Sequence, residues 1–333
     1  MTTDTALASS QLVTIFGGSG FVGRHVVRAL ARRGYRIRVA VRRPDLAGHL
    51  QPLGTVGQIT AVQANVRYRD SVTRAVAGAQ AVINLVGILR ETGRQNFSPV
   101  HHEGAGAVAA AAAAEGARLV HVSAIGADSA SPSLYARSKA LGEEAVLAAN
   151  PQATIFRPSV IFGPEDAFFN RFAALARIFP VLPIVGAQTK LQPVFVGDVA
   201  EAVARAVDGT VPEGRVYELG GPEVRTLHEL VNDVQAVTGR RRPVIALSPG
   251  VANIQAAVVE TLDKFTFGLL PETIIITRDQ VRLLAADNIV SGEAKAEGRT
   301  LEGIGIAPTA HQAIISGYLW RFRKGGQFDE ARA

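Results

Sequence analysis

Three side chains in this 333-residue chain are spaced to move a proton. Tyr135 and Lys139 stand four positions apart, so on a helix both lie on one face. Ser123 follows the apolar run Leu119-Val120-His121-Val122. A phenol beside an ammonium is a general acid or base, because the cation lowers the phenol pKa. A serine hydroxyl near it would hold a substrate carbonyl or hydroxyl. The pair occurs often by chance, so its meaning depends on the elements that carry it.

Those elements begin with a glycine loop. Leu12-Val13-Thr14-Ile15-Phe16 is β-rich and runs into Gly17-Gly18-Ser19-Gly20-Phe21-Val22-Gly23, and residues 21–33 then carry apolar side chains at helical spacing. Gly17, Gly20 and Gly23 allow a tight turn, a close backbone approach to a pyrophosphate, and close packing of helix on strand. The helix start adds free N–H groups and a positive dipole end, with Ser19, Phe21 and Val22 in the same turn. Further strands are predicted at 37–41, 59–62, 81–86, 119–122 and 154–156, separated by helical segments. The run at 81–86 is apolar throughout, as a strand covered on both faces should be. The expectation is an α/β fold, a doubly wound parallel sheet of the Rossmann, NAD(P)-binding kind. A helix near 197–207 and a strand near 216–219 rejoin that sheet. The binding domain is therefore placed at 11–220, with its core at 11–158, and a smaller C-terminal lobe of helices and loops at 221–325.

The end of the second strand selects the dinucleotide. NAD sites put an acid there for the ribose hydroxyls, whereas this chain has Arg42 and Arg43. A guanidinium fork matches a 2′-phosphate, which predicts NADP(H); a solvated strand end is the alternative. Asn65 and Val66 after the third strand complete the predicted cofactor lining. Leu85, Val86 and Gly87 join them after the fourth, and Pro158 and Val160 after the sixth, together with Tyr135 and Lys139.

Composition narrows the remaining classes. With no cysteine, disulfides and thiolate metal sites are excluded. A net charge of +6 favours an anionic partner, but aromatics at 6% are too sparse for an interleaved RNA-binding surface, so no nucleic acid is expected. His101-His102 looks like a ligand pair, but a loop or helix-start position beside the cofactor is expected there rather than a metal. Arg240-Arg241-Arg242 reads as a solvated turn, with phosphate or lipid contact as the alternative. Residues 1–10 carry neither a basic nor an apolar segment, and no stretch is long enough to span a bilayer, so neither a signal peptide nor a transmembrane helix is expected. Near the C-terminus, Tyr318, Trp320 and Phe322 alternate with Arg321, Arg323 and Lys324. The segment suits an anionic membrane surface or a partner groove, and equally a packed terminal helix.

The glycine loop, Ser123, Tyr135, Lys139 and the stretch Arg157-Pro158-Ser159-Val160-Ile161-Phe162-Gly163-Pro164 together resemble the extended and atypical short-chain dehydrogenase/reductases. Leu191-Gln192-Pro193-Val194-Phe195-Val196-Gly197-Asp198-Val199 and Ile276-Thr277-Arg278-Asp279-Gln280-Val281 are similar to the alpha subcomplex subunit nine family of respiratory complex I. So are Asp287-Asn288 and residues 301–308. That resemblance implies bound NADPH with little or no turnover, and a place on the peripheral arm near the ubiquinone site in electron transport. It also implies contact with the membrane surface, for a bacterial relative the cytoplasmic side of the inner membrane. Asn65 stands where many relatives carry Asp. The intact Tyr135–Lys139 pair keeps a second reading open, an NADP-dependent oxidoreductase or epimerase acting on a small molecule in quinone or isoprenoid metabolism. The short Ser123–Tyr135 interval weighs against an epimerase.

Overall fold

The computed structural model describes residues 11–93, 95–248, 250–251, 277–326 and 328. Strands are β1 Leu12–Phe16, β2 Arg36–Val41, β3 Ile59–Gln63, β4 Ala81–Asn84, β5 Arg118–Val122, β6 Thr154–Pro158, β7 Ile161–Phe162, β8 Leu182–Val185, β9 Lys190–Leu191, β10 Val194–Phe195, β11 Val216–Leu219, β12 Arg225–Thr226 and β13 Val244–Leu247. The longer helices are α1 Phe21–Arg32, α2 Arg69–Val76, α3 Glu103–Ala114, α4 Leu134–Ala149, α5 Phe169–Ile178, α6 Val196–Asp208, α7 Leu227–Thr238 and α8 His311–Leu319.

Contacts divide the described residues into two compact units. The first holds residues up to Pro158, Val196–Leu219 and Ser291–Ala307; the second holds Ser159–Phe195, the described part of 220–290, and 308 onward. The division expected at 220/221 differs at two places. Residues 159–195 cluster with the second unit, because Phe162, Phe169, Leu182 and Ile184 enter its core. Residues 291–307 return to the first.

In the first unit seven parallel strands run β3-β2-β1-β4-β5-β6-β11. The order reverses between β1 and β4, and in such sheets ligands bind beyond the strand carboxyl ends at that reversal. One face is covered by α2, α3 and α4, whose Val72, Val76, Val108, Ala109, Ala112 and Val146 are buried with Phe16, Val82 and Leu119. The alanines of α3 let it approach α4 closely. Just after α1, its C-cap Arg33 pairs with Glu201 (2.8 Å) and Asp208 (2.9 Å) of α6. The free edge of β11 is not open: Glu218 N–H donates to Arg299 O (2.9 Å), and Arg299 Nη1 donates to Val216 O (2.8 Å). Covering an edge strand in this way removes a template for unwanted pairing.

The second unit is built on Leu227, Leu230, Val231 and Val234 of α7, packed with Phe169, Leu182, Ile315 and Leu319. A capping box starts α7, with Thr226 and Glu229 satisfying each other's backbone N–H. Of the two roles open to the C-terminal segment, Tyr318 and Phe322 take that of a packed terminal helix. Tyr318 is 6% exposed, donates its hydroxyl to Asp166 Oδ2 (2.6 Å), and shares the core with Leu319 and Ile315. Phe322 packs against the same cluster between the guanidiniums of Arg177 and Arg321. These rings are spent on the protein's own core. Ile276, which opened one of the family-like stretches, lies outside the described residues.

Candidate functional site

The glycine loop lies where the sheet order reverses. Gly17 has φ +80°, and a Cβ there would come 3.2 Å from the Leu85 carbonyl carbon, so the loop after β1 lies against the loop after β4. A Cβ on Gly23 would overlap Gly17 O and the Gly18 backbone. Bare backbone at both positions seats α1 directly behind the turn. Gly20 is the N-cap of α1, with no side-chain cap and no acid in the first turn. The helix start therefore presents its N–H groups to an anion. Ser19, Phe21 and Val22 are half-buried around it.

β4 stops at Asn84 rather than at residue 86, because Asn84 Oδ1 accepts the Val86 N–H (3.1 Å) and turns the chain. Leu85, Val86 and Gly87 thus form a loop beside the glycine turn. At the end of β2, Arg43 pairs with Asp45 (2.7 Å), whereas Arg42 is exposed and has no acidic partner among the described residues. Of the two cations, Arg42 is the one available to a ligand. Asn65 serves the chain locally, its Oδ1 accepting the Arg67 N–H (3.2 Å) and its N–H donating to Ser71 Oγ (2.9 Å). Val66 is buried against Gly104, and Val160 belongs to the second unit, where its carbonyl accepts the Val194 N–H (2.9 Å).

Tyr135 and Lys139 sit on the first turns of α4, and Ser123 follows β5. Ser123 Oγ is buried and has no hydrogen-bond partner among the described residues, although its N–H is held by Phe156 O (2.7 Å). An orphaned hydroxyl of this kind costs stability unless a ligand engages it. Pro158, buried at the end of β6, accepts the Ile125 N–H through its carbonyl (3.0 Å). Lys139 does not lower the phenol as expected: burial pushes Tyr135 up to about 12 and Lys139 itself down to about 8, with Glu143 partly holding the ammonium up. Lys139 Nζ donates to Val122 O (3.2 Å) and would lie 3.5 Å from a Cβ on Gly87. Glu143 is in turn fixed by Arg157, at 2.6 Å from Nη2 and 2.9 Å from Nε.

His101 lies at a helix start, as expected, and has in addition a tying role that its position in sequence does not show. It lies in a π-helical turn, Ser98–His102, that leads into α3. Its Nε2 accepts the Ile88 N–H (2.9 Å), so Nδ1 carries the proton and faces Ser138 Oγ (2.8 Å), which donates to Tyr135 O (2.7 Å). One imidazole thereby ties the loop after Gly87 to the helix bearing Tyr135 and Lys139. The signal in sequence was only a histidine before an alanine-rich helix. His121 is buried on β5, with Nδ1 3.2 Å from Asn84 Nδ2 and no partner at Nε2 among the described residues. Among the described residues no group of three or more His, Asp or Glu is placed to hold a metal ion.

Burial, and then the charge of Lys139, lower both histidines from 6.5 to about 3. Between those values the unfolded chain binds protons that the folded chain refuses. Their contribution is thus complete above pH 6.5 and lost as pH falls toward about 3. Each proton adds up to about 1.4 kcal/mol per pH unit to the slope. Chemical unfolding across this range should show a shallower slope in His121→Gln than in the parent. An unchanged slope would mean that His121 is not held neutral by burial.

The NAD dependent epimerase/dehydratase family matches residues 13–220. A subunit of Arabidopsis thaliana, NADH dehydrogenase [ubiquinone] 1 alpha subcomplex subunit 9, mitochondrial, is 35% identical over 96% of this chain and 79% of its own length. A ceramide reductase of Caulobacter vibrioides is 38% identical, over 57% of this chain and 58% of that protein. Among solved structures, an NADPH-dependent quinone oxidoreductase from Escherichia coli, complexed with NADPH, superposes with a TM-score of 0.70 at 22% identity. It covers 92% of this chain and 99% of that one.

Proposed function

Because the chain belongs to the NAD dependent epimerase/dehydratase family, in the group of the alpha subcomplex subunit 9 proteins, we propose that it is an NADP(H)-binding accessory subunit of respiratory complex I. The observation that carries this reading is the extent of similarity. It runs over 96% of the chain, through both units and not only the dinucleotide half. The proposed position is on the peripheral arm near the quinone site, on the cytoplasmic face of a bacterial inner membrane. Of the terminal segment, Trp320, Arg321 and Lys324 remain exposed for an anionic membrane surface. No helix among the described residues is long and apolar enough to cross a membrane.

The residues present fit the cofactor. Gly17 and Gly23 leave backbone where a Cβ would block a pyrophosphate turn, and among the described residues Arg42 has no acidic partner and Ser123 Oγ no hydrogen-bond partner. When bound, the nicotinamide ring supplies hydride chemistry. On the protein side, Lys139 and Tyr135 would hold the adjoining ribose, and Arg42 would hold a 2′-phosphate. His101 keeps the Gly87–Ile88 loop against them.

Ser123 Oγ and the Tyr135–Lys139 pair also favour a second reading, NADP-dependent reduction of a carbonyl on a small molecule in quinone or isoprenoid metabolism. One variant separates the two. Under the subunit reading, Tyr135→Phe leaves NADPH affinity and recovery with respiratory subunits from detergent-solubilised membranes nearly unchanged. Lys139→Ala should weaken NADPH about tenfold by removing a ribose contact. Respiration that fails with Tyr135→Phe while the protein stays folded and NADPH-loaded would replace the subunit reading with the enzymatic one, since removing a general acid typically costs about 10²–10⁴ in rate.

A further inference from the structure

The second unit gathers positive charge at one place. α7 ends at Gly239, and the chain turns there, with the Arg240 N–H returning to Gln235 O (2.9 Å). The turn sets Arg240, Arg241 and Arg242 around a cleft of about 780 Å³ that Asn232 and Gln235 also line. Main-chain carbonyls hold two of the guanidiniums. Arg240 donates to Phe322 O from Nη2 (3.0 Å) and Nε (3.3 Å), and Arg242 Nε donates to Ala176 O (3.2 Å) near the end of α5. Each keeps further N–H groups for a ligand.

Capping helix ends explains one contact for each of these two arginines. It does not explain Arg241, which is exposed and bonds to nothing among the described residues. Nor does it explain the missing counter-charge: no Asp or Glu among the described residues pairs with Arg177, Arg240, Arg241 or Arg242. Burial, then repulsion from Arg242 and Arg177, holds the Arg240 guanidinium below its ordinary pKa. Like charges held together with their forks oriented form an arrangement that a multiply charged oxyanion completes.

We propose that this cleft binds a phosphate group carrying two negative charges, gripped by Arg240 and Arg242 with Arg241 at the rim. The group belongs either to a phospholipid headgroup or to a free phosphate compound, and two probes separate these sources. Inorganic phosphate is titrated at constant ionic strength into the full chain saturated with NADPH, which keeps the glycine loop filled, and thermal unfolding is followed. Phosphatidylcholine vesicles with and without phosphatidic acid are sedimented with the same protein.

Phosphate should raise the Tm, and the double substitution R240Q/R242Q should weaken its apparent affinity at least about tenfold. Arg241→Glu, at an exposed side chain with no structural bond, should weaken it several-fold and guards against misfolding of the double variant. Arginine-dependent sedimentation with phosphatidic acid assigns the site to a lipid. A phosphate response without sedimentation assigns it to a free compound. An equal phosphate response in the parent and in Arg241→Glu, with no difference between the two vesicle types, would overturn the proposal.

Discussion

Removing residues 314–333 should prevent the second unit from folding, rather than release an intact protein from a membrane. Ile315 and Leu319 are essentially fully buried, and truncating side chains of that size costs about 2–5 kcal/mol each. Losing the Tyr318 hydroxyl also takes a donor from Asp166, whose carboxyl is 4% exposed and already raised by burial. Against a typical domain stability of about 5–15 kcal/mol, the sum is decisive. The truncated chain should lose the unfolding transition of that unit in calorimetry, and Leu319→Ala alone should lower stability by about 2–5 kcal/mol. A truncated protein that unfolds with the parent's midpoint would show that the core does not depend on this helix.

Arg42→Ala should weaken NADPH roughly ten- to a hundredfold and leave NADH nearly unchanged. The contact is charge-assisted and worth about 1.5–3 kcal/mol. Arg43 cannot simply replace it, because Asp45 holds its guanidinium at 2.7 Å. Asp45→Asn in the Arg42→Ala background should therefore restore part of the affinity by freeing Arg43. Calorimetric titration of both nucleotides reads each step, and equal losses for NADPH and NADH would remove Arg42 from the 2′-phosphate site.

Much of the first unit was legible because its signals are local. Continuous apolar runs mark β1, β4 and β5, glycines mark the turn after β1, and the four-residue interval between Tyr135 and Lys139 marks one face of α4. The second unit was not legible in this way. β7, β9, β10 and β12 are two residues long and exist only through partners elsewhere in the chain. The terminal segment shows why pattern alone fails: aromatic residues between cations fit an interface and a core equally well. What decides is Asp166, which meets Tyr318 across 152 positions. The partners of His101 were hidden for the same reason, since Ile88 and Ser138 come from a separate loop and helix.

The strand order of the first unit has a consequence for synthesis. β6 emerges with its outer backbone groups unpaired, and the strand that pairs with them, β11, is roughly 60 residues further along. At roughly 5–20 residues per second, a ribosome leaves that edge open for about 3–12 s. The covering of β11 itself waits longer still, until Arg299 has been made. During that interval the nascent chain carries an apolar parallel sheet with a raw border. Such a border is open to wrong pairing until β11 arrives, so the interval is one in which a shielding helper protein has something to hold.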